Sequence, residues 1–326
     1  MTDTIELEAS VPDDLGGCRL DQVAAQLFPD YSRSRLQTWI KNGELQVDGQ
    51  QHRPRDKVSQ GAILLIKAKL EAEVGWQGQD IDLDIVYEDD AILVVNKPAG
   101  LVVHPAAGHA DGTLVNAVLA HAPALSQLPR GGIVHRLDMD TSGIMVVAKT
   151  LPAHHNLVAQ LQARTVKREY CAVVIGAMTG GGTVDAPIGR HPRARKKMAV
   201  TASGGKHAVT HYRVVQRFGH HTRIAVKLET GRTHQIRVHM SHKHYPLIGD
   251  PQYGGRPRIP KGASDSLITA LRGFKRQALH AQALGLIHPA TGEDVRFECP
   301  LADDIAQLLN TLQQEDPPLA GDSALY

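Results

Sequence analysis

The first fifth of the chain changes from a helical to a strand-like hydrophobic period. Apolar residues recur at helical spacing over residues 20–27 and stop at a proline, and a second helical segment covers residues 33–41. Apolar and polar positions then alternate up to an Asp48-Gly49 turn, which is typical of a hairpin. With a further strand over residues 62–68, this pattern predicts a small α/β module.

The remainder of the chain is dominated by apolar runs of strand length. Residues 144–148 have no polar position and are followed by Lys149, which indicates a strand buried on both faces. Because strands occur in local pairs and helices are few, we expect an α+β domain with a mixed, largely antiparallel β-sheet flanked by helices and loops. The other predicted strands cover residues 85–96 (two strands around a turn), 168–176, 208–218, 221–230, 279–288 and 293–299, and the predicted helices cover 113–121, 157–164 and 302–312.

Shifts in composition divide the chain into five predicted segments. The first residues are acidic and lack periodicity, the last follow the predicted terminal helix, and glycines and acids interrupt the hydrophobic pattern between the two folded parts. The predicted segments are a flexible acidic tail (1–15), the α/β module (16–70), an acidic linker (71–84), the α+β domain (85–314) and a frayed C-terminal tail (315–326).

Charge is segregated along the sequence although the net charge is only +2. Residues 71–96 contain eight acids and no Lys or Arg, a charge of −8. Residues 186–244 contain thirteen Lys and Arg against one acid, a charge of +12. Like charges along one segment repel one another unless a partner offsets them, so the pattern favours a polyanionic partner. The alternative is a solvated basic face with no partner.

Several classes of protein are not supported by the sequence. No run approaches eighteen apolar residues and the first residues are acidic, so we expect no membrane span, no signal peptide and a cytoplasmic protein. The three cysteines are far apart, which argues for reduced thiols. The eighteen histidines lack a metal-binding frame, and no glycine-rich loop joins a strand to a helix, so we expect neither a metal nor a nucleotide cofactor.

The loop before the buried strand 144–148 concentrates reactive groups. Residues 135–143 read His-Arg-Leu-Asp-Met-Asp-Thr-Ser-Gly and contain two carboxylates, an arginine, a histidine and two hydroxyls. A rigid strand behind such a loop would hold a catalytic group still. Asp138 and Asp140 could form a glycosidase-like pair, although two residues apart they need not face each other, and Ser142 lacks the turn of a serine hydrolase.

The α/β module resembles the S4 RNA-binding domain. The resemblance covers residues 17–68 and rests on Arg-Leu-Asp at residue 19, Ser-Arg-Ser-Arg-Leu at residue 32 and Gly-Glu-Leu-Gln-Val-Asp-Gly at residue 43. In that family the second helix and the following loop lie on RNA. The resemblance therefore implies four candidate phosphate contacts, which are Arg19, Arg33, Arg35 and Lys41.

The loop 135–143 resembles the catalytic loop of the pseudouridine synthases that act on ribosomal large-subunit RNA. Other blocks of that family match in order: Asn-Lys-Pro-Ala-Gly at residue 96, Arg-Glu-Tyr at 168, Gly-Arg-Thr-His-Gln-Ile-Arg at 231, and Gly-Asp-Pro-Gln-Tyr at 249. The resemblance implies an S4 domain followed by a synthase domain. It also implies site-specific isomerisation of uridine to pseudouridine in the helix 69 loop of 23S ribosomal RNA, without a cofactor.

The same resemblance assigns roles to individual residues. It implies Asp138 as the catalytic carboxylate, Arg237 as the arginine that keeps it ionised and oriented, and Tyr170 as the ring that stacks on the target base. Base flipping would bring the uridine to Asp138, and Arg136 would fill the space that it leaves. Two further residues, Arg232 and His234, are expected to bind RNA.

Two rival functions stay open at this point. The chain could be a non-catalytic RNA-binding factor of ribosome assembly, or a sister synthase with another rRNA or tRNA target. Asp138, Tyr170 and Arg237 all being in place argues against the first rival. The expected partner is large-subunit ribosomal RNA or the pre-ribosomal large subunit, and a monomer is the default.

Overall fold

The structure, a computed structural model, describes residues 4–29, 31, 33–69, 76–105, 109–194 and 197–317. The chain forms two compact units, Met1–Gly75 and Trp76–Tyr326. Within the described ranges, none of the helices has the length and apolar character needed to cross a membrane.

In its described residues, the first unit is a three-stranded antiparallel sheet with two α-helices. The sheet has the order β1-β3-β2, and both helices bury their apolar faces in one core that includes Leu20, Val23, Leu36 and Ile40. These are the positions that the helical period predicts to face inward. The elements are β1 (Thr4–Ser10), α1 (Leu20–Leu27), α2 (Arg33–Asn42), β2 (Leu45–Val47) and β3 (Ile63–Lys69).

The prediction of a flexible tail over residues 1–15 is wrong for the part that the structure describes. Thr4–Ser10 is strand β1, which pairs along its whole length with β3. Its acids lie on the solvent side, where Glu6 forms an ion pair of 2.7 Å with Lys67. Residues 1–3 lie outside the described residues.

The second unit is built on one nine-stranded mixed sheet. Its order is β4-β5-β6-β13-β7-β12-β11-β8, with β14 paired to β13. Only the described pair β13 and β6 is parallel, so the predicted mixed, largely antiparallel α+β domain is confirmed. The strands of this sheet are β4 (Ile85–Glu88), β5 (Ile92–Lys97), β6 (Ser142–Ala148), β7 (Lys167–Ile175), β8 (Gly182–Asp185), β11 (Val209–Arg217), β12 (His221–Leu228), β13 (Leu279–Ile287) and β14 (Asp294–Glu298). Two further strands, β9 (Ile188–Arg190) and β10 (Met198–Val200), form a separate antiparallel pair. The helices are α3 (Leu114–His121), α4 (Leu151–Ala163), α5 (Gln235–His242), α6 (Asp265–Gly273) and α7 (Asp303–Glu315).

Strand β6 lies inside this sheet, as its apolar sequence predicts. Every residue of β6 is buried, and it is hydrogen-bonded to β5 on one side and β13 on the other. The loop 135–141 therefore leads directly into a buried strand, which fixes the position at which the loop ends.

The predicted linker 71–84 and C-terminal tail 315–326 are only partly within the described residues. From Trp76 onward the linker packs on α3, because Asn116 donates a hydrogen bond to the carbonyl of Gln77. At the other end, the buried Asp316 carboxylate accepts hydrogen bonds from His220 and His221. Fraying is therefore wrong for the described part of the C-terminal tail, since internal hydrogen bonds hold it. The acidic linker stays a prediction, and its residues from Trp76 onward belong to the second unit. Residues 70–75 and 318–326 lie outside the described residues.

Gly143 is a point where the fold requires glycine. It has a φ of 116°, and a Cβ atom at this position would overlap the backbone of Ala281 in β13. We expect Gly143→Ala to lower the free energy of unfolding by about 3 kcal/mol or more, as measured by urea denaturation. The matched control is Gly180→Ala, where a Cβ atom meets nothing within 4 Å. Equal stability of the two variants would contradict this account of the β6 and β13 pairing.

Candidate active site

The second unit contains a cavity of about 590 Å³ at the start of β6. Its lining comes from the loop 135–141, from β7 and from the segment 228–237 that leads into α5. These segments are far apart in the sequence, but β6, β7 and β12 bring them to one side of the sheet. The cavity brings together all six residues that the sequence assigns to the synthase domain: Arg136, Asp138, Tyr170, Arg232, His234 and Arg237.

Two basic side chains donate hydrogen bonds to the backbone of the loop 135–141. Lys97 Nζ donates a hydrogen bond of 2.9 Å to the carbonyl of Met139, and Arg276 Nη1 donates one of 3.1 Å to the carbonyl of Asp140. Asp138 precedes these two residues and directs its side chain to the cavity. These two hydrogen bonds therefore fix the backbone of the loop that carries the Asp138 carboxylate.

Lys97 is fully buried and its ammonium group is surrounded by carbonyl oxygens. Besides Met139, it donates to the carbonyls of Pro98 at 2.7 Å and Leu101 at 2.9 Å. Burial lowers the pKa of Lys97 to about 7. Three acceptors match the three N–H groups of the ammonium form, because a neutral amine has only two to donate. The charged form of Lys97 can therefore donate to all three carbonyl groups, whereas the neutral form can donate to only two.

Asp138 is paired with a buried arginine that is itself held by a second carboxylate. Arg237 Nη1 donates to Asp138 Oδ2 at 2.9 Å. On its other side, Arg237 Nε and Nη2 donate to the two oxygens of Asp250 at 2.7 and 2.9 Å. Burial disfavours the charged guanidinium, but the hydrogen bonds and charges of Asp250 and Asp138 outweigh it and raise the pKa of Arg237. Arg237 is thus a fixed cation that orients Asp138.

The carboxylate of Asp250 is fixed in the position in which it binds Arg237. Its carboxylate is buried, and Oδ1 also accepts the backbone N–H groups of Gln252 and Tyr253 at 2.9 and 3.0 Å. The ring of Tyr253 lies 5.1 Å from Arg237 Cζ. Arg237 therefore has a bidentate ion pair and an aromatic ring beside it, which leaves one nitrogen for Asp138.

Tyr170 lies on β7 and contributes an aromatic side chain to the same cavity. Its backbone pairs with Ala281 on one side and Val226 on the other, so strand register fixes its position. Burial raises the pKa of the Tyr170 phenol, and the charge of Asp138 acts in the same direction. A neutral, strand-mounted ring beside a carboxylate is suited to contact a flat apolar surface.

The lining of the cavity is strongly basic. It contains six arginines against two acids, Asp138 and Glu229. Arg164 lies at the rim, where it ends α4 in a left-handed conformation. Such a lining attracts a polyanion and offers guanidinium groups to phosphates. The arginines are Arg130, Arg136, Arg164, Arg168, Arg232 and Arg237.

In the first unit, two of the predicted RNA contacts share one buried carboxylate. Asp21 accepts hydrogen bonds from Arg19 at 3.0 Å, from Arg33 at 2.6 Å and from Gln37 at 2.7 Å. Burial alone would raise the pKa of Asp21, but these bonds lower it to about 2. The two guanidiniums remain partly exposed, so Asp21 fixes their direction at the surface.

The other two predicted contacts lie on or near the same helix. Arg35 is half-buried on α2, and Lys41 is exposed near the end of that helix. Lys41 lines a second cavity together with His52 and Arg53. An RNA-contact role for these four residues of the first unit stays a prediction.

Three residues of the site have no role in the sequence interpretation. Asp250 and Tyr253 belong to the Gly-Asp-Pro-Gln-Tyr block, and Lys97 to Asn-Lys-Pro-Ala-Gly, both of which match the family. These two motifs were therefore the sequence signal by which the three residues could have been found. They did not indicate which side chains these residues contact, because Asp250 meets a guanidinium and Lys97 meets a loop that are distant in sequence.

Comparison with known proteins agrees with this architecture. The profile of the family described as RNA pseudouridylate synthase matches residues 91–242, and the S4 domain profile matches residues 18–64. A Pseudomonas aeruginosa protein named ribosomal large subunit pseudouridine synthase D is 62% identical over 98% of this chain and 100% of its own length.

Further relatives show the same pattern. A Xanthomonas campestris protein of the same name is 55% identical over 94% of this chain and 93% of its own length. The solved structure of human RNA pseudouridylate synthase domain containing 4 has 27% identity and a TM-score of 0.56, covering 70% of this chain and 92% of that one. The chain therefore belongs to the RNA pseudouridylate synthase family of isomerases, with an S4 domain in front of its synthase domain.

Proposed function

We propose that this chain isomerises uridine to pseudouridine in the helix 69 loop of 23S ribosomal RNA, with Asp138 as the catalytic carboxylate. The observation that carries the proposal is the ion pair of Asp138 with the buried Arg237 in a basic cavity that also contains Tyr170. The relatives named above support large-subunit RNA as the target through their names. Such a substrate would place the enzyme in the cytoplasm and its activity in ribosome biogenesis. A single chain supplies every residue named for the site.

The reaction needs few groups because nothing is gained or lost overall. The bond between ribose C1′ and uracil N1 breaks, the base turns, and C1′ joins C5. C5 loses a proton and N1 gains one, so the composition of the nucleotide is unchanged. Asp138 is the carboxylate that would act on the nucleoside, Arg237 would orient it through their hydrogen bond, and Tyr170 would provide a surface on which the base stacks.

The uridine has to leave a stacked loop before it can reach Asp138. Unstacking costs on the order of a few kcal/mol, which phosphate contacts to the basic lining would offset. Arg136 would fill the gap that the flipped base leaves, and its exposed side chain two residues before Asp138 supports this role. Arg232 and His234 would contact the RNA on the other side of the cavity.

Tritium release from 23S ribosomal RNA fragments labelled at uridine C5 tests the proposed activity, because C5 loses its hydrogen only when pseudouridine forms. A helix 69 hairpin should release tritium, and a hairpin with its loop uridines changed to cytidine should not. Release from another rRNA or tRNA alone would favour the sister synthase. No release with any RNA would favour the non-catalytic assembly factor.

RNA affinity should fall steeply with salt if the arginines of the cavity contact phosphates. Three or more such contacts predict a slope of log affinity against log salt of about −2 or steeper for a single-stranded loop. Fluorescence anisotropy with a helix 69 hairpin at several salt concentrations measures this slope. Arg164→Gln should make it shallower by about 0.7, and Arg272→Gln, an exposed arginine of α6 outside the cavity lining, should not. A flat dependence in the unsubstituted enzyme would contradict the role of the basic lining.

A further inference from the structure

Tyr253 joins the catalytic cavity to strand β10 through its hydroxyl group. The backbone N–H of Met198 donates to this oxygen at 2.9 Å. On the other side, the oxygen lies 2.9 Å from His234 Nδ1. Since the oxygen already accepts from Met198, its own proton is available to donate to His234.

The position of the proton on His234 follows from the direction of this hydrogen bond. If Nδ1 accepts from Tyr253, the neutral imidazole has its proton on Nε2. Nε2 lies 3.9 Å from Asp138 Oδ1, at the edge of the cavity and too far for a direct hydrogen bond. The N–H group therefore faces the region in which a base beside Asp138 would lie.

The electrostatic surroundings agree with a neutral imidazole. Burial lowers the pKa of His234, and the positive charges of Arg237 and Arg136 act in the same direction. The carboxylates of Asp138 and Asp250 act in the opposite direction, and burial outweighs them.

His234 is also held in a backbone conformation that L-residues rarely adopt. Its φ is 56°, and it stands at the N-cap of α5, three residues before Arg237. Residues in this region of backbone space cost energy and concentrate at functional sites. Here the conformation places the imidazole over the cavity while α5 directs Arg237 at Asp138.

We propose that His234 donates a hydrogen bond from Nε2 to the uracil as it detaches, and that Tyr253 is the positioning residue that fixes this donor. The inference rests on the proposed function. When the N1–C1′ bond breaks, its electron pair stays on the uracil and spreads onto the carbonyl oxygens, while the Asp138 carboxylate compensates the electron deficiency left at C1′. A donor already in place stabilises that charge, and no proton needs to leave His234. When C1′ joins C5, the C5 proton passes to water and N1 takes a proton from water, so His234 is the same before and after.

Three variants separate this role from a structural one. His234→Ala should lower the single-turnover rate constant by about 10²-fold, while the dissociation constant for the RNA rises only severalfold, because the arginines of the cavity keep their phosphate contacts. His234→Gln, whose amide can donate from a similar place, should recover part of the rate. Tyr253→Phe keeps the ring beside Arg237 but loses the hydroxyl, and it should slow the reaction about tenfold. The matched control is Tyr212→Phe on β11, which should react at the normal rate.

Coupling between the two residues provides the second measurement. Because Tyr253 acts through His234, the double variant His234→Ala/Tyr253→Phe should be no slower than His234→Ala alone. RNA with 5-fluorouridine at the target position tests the charge directly, because fluorine makes the departing base a better leaving group. The rate penalty of His234→Ala for consumption of the target nucleoside should be smaller with this RNA than with uridine.

The failure of this inference can be told from the failure of the proposed function. If the unsubstituted enzyme is active and Asp138→Asn is not, the proposed function stands. Normal rates for His234→Ala, additive effects in the double variant, or an equal penalty with both RNAs would each overturn the role of His234 and Tyr253.

Discussion

Asp138→Asn is expected to abolish pseudouridine formation and to leave RNA affinity close to that of the unsubstituted enzyme. Asparagine keeps the size of the side chain and an oxygen that can accept from Arg237, so the loop 135–141 should keep its place. It lacks the charge and the nucleophilic or basic oxygen on which the chemistry depends. We expect a loss of about 10³-fold or more in single-turnover rate, the scale of losing such a group.

The experiment combines tritium release with anisotropy on the same RNA. Asp140→Asn is the matched control, because Asp140 lies in the same loop and is outside the cavity lining. It should keep most of the activity, since Arg276 holds its backbone carbonyl and not its side chain. Loss of RNA binding in Asp138→Asn, or a rate reduced only severalfold, would argue against a catalytic role for Asp138.

The sequence predicts the part of the site that depends on local pattern and on motif. The apolar run of β6 and the polar loop before it are adjacent in the chain, so hydrophobic pattern alone indicates a reactive loop on a buried strand. The ion pair of Asp138 with Arg237 is different, because 99 positions separate the two residues. Only the resemblance to the pseudouridine synthases indicated this pair. The structure places Arg237 Nη1 and Asp138 Oδ2 within hydrogen-bond distance.

Contacts between distant residues account for what the sequence interpretation missed. Asp250 is one of many acids in the chain, and only the fold places it against Arg237. Asp21 likewise meets Arg33 only after α1 and α2 pack together.

Strand β1 had a local signal that the interpretation overlooked. Ile5, Leu7 and Ala9 alternate with acids, as a half-buried strand requires. The acids of the opposite face made this segment resemble a tail, although they only mark its solvent side.

Asp250→Asn is expected to cost both stability and activity, because it leaves the buried Arg237 without its main counter-charge. The amide would place an N–H group where the carboxylate accepts from Arg237 Nε. Breaking a buried ion pair from one side costs about 3–5 kcal/mol, which urea denaturation can measure. Activity should fall as well, since a displaced guanidinium no longer orients Asp138.

A double variant distinguishes the two effects. Arg237→Met/Asp250→Asn removes the cation that has lost its main counter-charge, and the remaining amide oxygen still accepts from the backbone of Gln252 and Tyr253. Much of the lost stability should therefore return, because replacing both members of a buried pair costs far less than removing one. Activity should not return, since Asp138 then has no guanidinium partner. A double variant that is as unstable as Asp250→Asn would show that the lost stability does not come from the charge of Arg237, and a double variant that is active would show that Asp138 needs no cation to work.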